Sequence, residues 1–268
     1  MTINTNITAL QSANEMNAAQ ARLDKSLREL SSGSTINSPA DDPAGLAAVT
    51  SMNADAQRTT AAQNNVSSAL SFTQTQDGYL SGISTALSQM SQLSIEAMDE
   101  TTTASDRSLY DMEFQQLNSY ITSTANKDLN GVSLFSANSL DITLDADHTV
   151  TMNMSGINLA AGAYATATSS NIATTTAAAS ALTAVDAAIT QLASDRATVG
   201  SYETRLNYAS DQLSVGEQNL TAASSAIEDV NVADESTQYA TENVLLQSTT
   251  AMLAQANQLP QTVLKLIT

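Results

Sequence analysis

His148 is the single histidine of the chain, and it stands in the run LDADHTV, Leu144 to Val150, just after Asp145 and Asp147. A histidine beside carboxylates is the raw material of a general base, the carboxylate fixing the imidazole tautomer and the imidazole taking the proton. Such a base needs a nucleophile to activate, and no serine or threonine here lies in the turn pattern that exposes one. An enzyme with a surface hydrolytic site is a remote alternative that would rest on this run alone. The acidic residues also invite comparison with a calcium loop. Counting from Asp145, however, Val150 falls where that loop needs glycine and Gly156 where it needs a bidentate glutamate. One histidine cannot build a two-histidine zinc site, and the absence of cysteine removes thiolate ligands, thiolate catalysis and disulfides together. The expectation is no enzyme, no metal and no cofactor, with His148 a solvated residue at the tip of an acidic hairpin.

That tip is carried by alternation: Leu140, Ile142 and Leu144 on one side of the turn and Val150, Met152 and Met154 on the other read as a small central β-hairpin. Nearly everything else reads as helix. Apolar residues from Ile3 to Leu30 recur at three, four and seven, the spacing of one helix face. The stretch SSGSTINSPADDPAGLA, Ser31 to Ala47, breaks that period, and its end reads as a new start with Asp41 or Asp42 as cap and Pro43 early in the helix. A helix from there to about Met98 would run roughly 80 Å, with Gly78 and Gly82 as its weak points. A third helix is expected from about Ser105 to Thr124, and the stretch from Ala160 to Ala181, nearly all Ala, Thr and Ser, reads as a surface segment or the start of a weak helix. Helical periodicity returns at Leu182 and persists to Ile227. It restarts near Leu245, where Leu245, Met252, Leu259 and Leu266 lie seven apart, flanked by Leu246, Leu253 and Ile267 and interrupted only by Pro260.

Only 4% of residues are aromatic and Trp is absent, so a thick core is excluded and thin helix-on-helix packing is favoured. The fold expected is mainly α: an elongated antiparallel helical bundle or coiled coil made from both chain ends. Its parts would be a terminal coiled coil (1–40 with 231–268), a helical rod (41–135 with 180–230) and a small hairpin with an Ala/Thr/Ser-rich surface segment (136–179). A net charge of −18 argues against nucleic acid and anionic membrane as partners, since binding either needs clustered Lys or Arg. No basic cluster exceeds Arg22, Lys25 and Arg28. The N-terminal residues lack the basic start and apolar run of a secretory signal.

Six segments then stand out together: INTNITAL (Ile3–Leu10), LDKSLRELSSGSTINSPADDPAGLA (Leu23–Ala47), LNGVSLF (Leu129–Phe135), RATVGSYETRL (Arg196–Leu206), NLTAASSAIEDVNVADE (Asn219–Glu235) and LLQSTTAMLAQANQLPQTVLKLI (Leu245–Ile267). In this order, over roughly the first 135 and last 85 residues, they resemble the bacterial flagellins. The resemblance implies a subunit of the flagellar filament used for swimming, with both chain ends paired as a coiled coil around a central channel and packed against neighbouring copies. The residue pattern makes that reasonable, because two amphipathic stripes at opposite ends of one chain are each marginal alone, and apolar surface left over by their pairing marks an association site. A head-to-tail contact that does not close on itself grows a filament. The polymerisation contacts expected are Ile3, Ile7, Leu10, Leu23, Leu27 and Leu30 with Leu245, Leu246, Met252, Leu253, Leu259, Val263, Leu266 and Ile267.

The resemblance also implies partners. These are an export chaperone on the C-terminal region from about Glu235, a filament cap, hook–filament junction proteins, and passage through the flagellar type III export channel to an extracellular filament without a cleaved signal peptide. A hook–filament junction protein is the alternative within the same structural class. Flagellins that activate the innate receptor for flagellin do so through a segment matching Leu87 to Ala97, including Gln89, Gln92 and Leu93 here. Those proteins carry arginine where this chain has Gln89, a departure that argues against activation.

Overall fold

The computed structural model describes residues 6–147 and 149–267, the stretch from 259 onward as helix backbone alone. Six helices and two short antiparallel strand pairs follow in order: α1 (Ile7–Ser32), α2 (Pro43–Met98), α3 (Ala104–Ala125), β1 (Asp128–Leu129), β2 (Val132–Ser133), β3 (Leu140–Thr143), β4 (Thr151–Met154), α4 (Gly162–Thr168), α5 (Thr175–Glu228) and α6 (Val232–Ile267). Their ends are set by side chains that satisfy the first amides and last carbonyls, which a helix leaves unpaired. Asn6 caps α1 by accepting from the Ala9 amide at 3.1 Å, and Gly33, at φ 76°, closes it in the left-handed conformation that glycine tolerates best. At the start of α2 the cap is Asp42, which accepts from the amides of Ala44 and Gly45. Asp41 instead accepts from the amide and hydroxyl of Ser38, bonds that hold its carboxyl below the usual carboxylate range. The C-terminus of α2 is closed by Arg107, whose guanidinium donates to the carbonyls of Ala97, Asp99 and Thr102.

The chain divides into two compact units, residues 1–55 with 219–268 and residues 56–218. In the first, α1 packs antiparallel against α6. Buried and half-buried positions on α1 step by three and four through Ala9, Ser12, Met16, Ala19, Leu23, Ser26 and Leu30. On α6 they do the same through Tyr239, Glu242, Leu246, Thr249, Leu253 and Ala256. This is a heptad seam of small, polar and medium side chains. The break between α1 and α2 lies against the break between α5 and α6: the Thr35 amide donates to Glu228 O (2.7 Å) and the Val230 amide to Gly33 O (3.0 Å).

The second unit holds the larger core. Leu80, Ile83, Leu87 and Met90 of α2 pack with Phe114 and Ile121 of α3, with Leu134 and Phe135 after β2, and with Val185 and Leu192 of α5. A second cluster joins Val66, Leu206 and Leu213 to Leu144, Met152 and Met154 around the β3–β4 hairpin, whose register pairs Leu140 with Met154 and Ile142 with Met152. The β1–β2 turn is Asn130-Gly131, both at positive φ as a tight hairpin turn needs. Between the helices, Arg196 grips Asp77 through two parallel bonds (2.8 and 3.1 Å), and Gln76 donates to Leu134 O at 2.6 Å.

Of the two readings of the Ala/Thr/Ser-rich stretch, helix holds and surface does not: it forms α4 and the start of α5, and Tyr164, Ala167, Ile172, Ala178 and Ala181 all lie in the larger core. Alanine is too small to register as core material by bulk, yet it is what lets helices approach closely. The hairpin and this stretch lie within the second compact unit, where their buried side chains join its two clusters.

Candidate functional site

Two polar contacts set the seam of the terminal unit. The Asn6 amide donates to Ala256 O at 2.8 Å, and Arg22 Nε donates to Glu242 Oε1 at 2.8 Å. Together they place residues of α1 and α6 whose numbers sum to about 263 at the same level. Glu242 is almost wholly buried, at 7% exposure, whereas Arg22 reaches the surface.

The expected contact residues divide into two groups around that seam. Leu23 is buried, and Leu30, Leu246 and Leu253 are half-buried in it. Ile7 (68% exposed), Leu10 (61%), Leu27 (46%), Leu245 (41%) and Met252 (47%) are left on the flanks. The stripe read through Leu245 and Met252 is thus one residue away from the seam, which runs through Leu246 and Leu253. Ile3 and the side chains of Leu259, Val263, Leu266 and Ile267 lie outside the described residues. Val244, 65% exposed, belongs to the uncovered apolar set and was not singled out in the sequence. Neither was the Arg22–Glu242 pair, since nothing in hydrophobic spacing marks a charged seam position.

The acidic hairpin has a structural job. Asp145 accepts from the amides of Thr149 and Val150 (3.0 and 2.9 Å) and from the Thr149 hydroxyl, so its lone pairs hold the turn closed. Asp147 pairs with Arg58 at 3.5 Å. His148 lies outside the described residues. Elsewhere Tyr164 is perturbed: burial, together with the hydrogen bond it donates to Asp195 at 2.7 Å, pushes its phenol well above the ordinary range. That is a partly buried tie between α4 and α5. Of the segment aligned with the receptor-binding region, Gln89 and Gln92 are exposed while Leu93 is buried in the core. Among the described residues no group of three or more acidic or imidazole side chains is placed to hold a metal, and no helix is long and apolar enough to cross a membrane.

Two paired terminal helices with apolar flanks, joined to a helical unit with a small hairpin, have close counterparts. The profile of the bacterial flagellin N-terminal helical region matches residues 3–139, and that of the C-terminal helical region matches residues 182–267. The chain belongs to the bacterial flagellin family. It is 31% identical to a flagellin of Halalkalibacterium halodurans and 32% identical to a flagellin of Bacillus subtilis, over the full length of each. It is 31% identical, again over both whole chains, to the flagellar filament 33 kDa core protein of Treponema phagedenis. A crystal structure of Bacillus cereus flagellin superposes with a TM-score of 0.51 at 28% identity, covering 56% of this chain and 88% of that one. The two matched segments leave only residues 140–181 of this chain between them.

Proposed function

We infer that this chain is a structural subunit that polymerises into a bacterial flagellar filament. The observation that carries the reading is the pairing of α1 with α6 in a flagellin-family chain while Ile7, Leu10, Val244, Leu245 and Met252 stay uncovered. Apolar side chains in a row on paired helices are stabilised when neighbouring copies remove them from water, at about 25 cal/mol per Å². The flanking residues Ile7, Leu10, Leu27, Leu245 and Met252 then contact other subunits, while Leu23, Leu30, Leu246 and Leu253 act within the subunit by holding the two helices together. By sequence spacing alone, Ile3, Leu259, Val263, Leu266 and Ile267 are taken as further subunit contacts.

Residues 1–40 and 231–268 form the polymerising part, and 41–135 with 180–230 the rod. A protein of this kind does no chemistry, and Asp145 is spent on its turn. The finer partners follow from the family: an export chaperone covering the C-terminal region from about Glu235, a filament cap, the junction proteins, and delivery through the type III channel to the cell exterior. Polar Gln89 and buried Leu93 support a chain that does not engage the innate receptor. Shearing the cell surface and weighing the released protein tests the function. A filament subunit dominates the sheared material, whereas a minor band only a few copies deep would assign the chain to the junction.

A further inference from the structure

The α1–α6 seam nearly repeats itself every seven residues, and this raises the question of what selects one register. Sliding α6 by a heptad exchanges Leu246 with Leu253 and Thr249 with Ala256. On α1 the same slide exchanges Met16, Leu23 and Leu30 among themselves. The apolar area buried therefore changes little along the seam, and what sets its register at the base of the pair is the backbone bonding of Thr35 to Glu228 and of Val230 to Gly33. Besides Tyr239 at the seam's end, a charged position breaks the repeat: Glu242, buried in the seam and held by Arg22. Its Oε2 is buried with no hydrogen-bond partner among the described residues, a condition that weakens the folded state. Stability alone gives no reason for a carboxylate there.

We propose that Glu242 is the positioning residue that carries the register set by those backbone bonds up the α1–α6 seam. In the observed register it lies level with Arg22. A slip of seven residues one way brings it level with Glu15, and a slip the other way brings it level with Glu29, itself buried. Both alternatives oppose carboxylate to carboxylate, Glu29 being partly offset by its own pair with Lys25 at 3.4 Å, whereas the native register is rewarded by the arginine. The Asn6 bond to the carbonyl of Ala256 is compatible with this but carries less selectivity, because every residue offers a backbone carbonyl. The register keeps Leu10 level with Met252 along the pair. Its consequence for a polymer rests on the filament reading above; the register itself is a property of the single chain.

Nitroxide labels at Gln11 and Gln238, both exposed and far apart along the seam, report the register through their dipolar distance. The chain has no native cysteine, so cysteines placed there are the only thiols labelled. The full chain is measured in solution and, diluted into excess unlabelled chain, after polymerisation. Wild type is expected to give one distance. Glu242→Leu is expected to add a second population displaced by about 10 Å, which is seven residues at 1.5 Å each, and Glu242→Gln carries the same comparison should the leucine variant not fold. One unshifted distance in both variants overturns the proposal, as does a split distribution in the wild type. A chain that never polymerises but gives these distances in solution removes the filament reading and leaves the register pin standing.

Discussion

Leu10→Ala separates surface held for neighbours from surface used within the subunit. Leu10 is 61% exposed in the single chain, so trimming it to alanine removes carbon groups that are mostly in water already. Alanine is at least as good a helix former as leucine. The lone subunit should therefore lose at most about 1 kcal/mol, the share of the side chain already covered. In the polymer the picture changes. The lost groups are worth about 0.8 kcal/mol each when buried, and with three-fifths of the side chain still uncovered the loss on assembly comes to about 1.5 kcal/mol. That is roughly a tenfold rise in the concentration of subunit left unpolymerised. Seeded growth followed by pelleting measures it directly, as protein remaining in the supernatant at equilibrium. Leu23→Ala is the contrast: at 8% exposure its loss falls on the subunit, with destabilisation of about 2–5 kcal/mol. An unchanged supernatant concentration for Leu10→Ala refutes the assignment of the α1 flank to subunit contacts.

Other outcomes follow from single features of the structure. Gly156→Ala drives a methyl group into the carbonyl oxygens of Ser136 and Asn138, so the loop backbone has to move and thermal unfolding should reveal a loss of about 1–3 kcal/mol. Asp42→Ala removes the cap that accepts from the amides of Ala44 and Gly45, and denaturant titration should find about 1 kcal/mol missing. Tyr164 keeps its proton in the folded state above pH 10, where the unfolded chain gives it up, so the stability it confers is present below that pH and declines above it. Tyr164→Phe should flatten the alkaline limb of the stability profile by one proton, about 1.4 kcal/mol per pH unit. Asp77→Asn breaks a half-exposed pair with Arg196, and its cost should stay near or below about 1 kcal/mol and shrink in salt.

Much of the fold was legible because long helices announce themselves by period and punctuation. Gly33, the Asp42-Pro43 start and the alternation from Leu140 to Met154 each stand at an element boundary or strand face in the structure. Where the reading fell short, the residues involved are small or polar. Ser12, Ala19 and Ser26 alternate with Met16, Leu23 and Leu30 in the seam, and Glu242, Thr249 and Ala256 do so on the partner helix. Counting bulky side chains therefore drew the α6 stripe through Leu245 and Met252, one residue from where it packs. The same blindness to alanine put the stretch around Ala167, Ala178 and Ala181 at the surface, when those positions are fully buried. Long-range polar pairs such as Arg22–Glu242 and Tyr164–Asp195 leave no local signature, since each joins distant parts of the chain.

Electron microscopy of the purified chain after seeding or salt precipitation, beside a chain lacking Val244 to Thr268, bears most directly on self-association. Tubes of uniform width are expected from the complete sequence and none from the shortened one. A complete chain that stays monomeric at every concentration, or a shortened one that builds the same tubes, contradicts a filament assembled through its paired terminal helices.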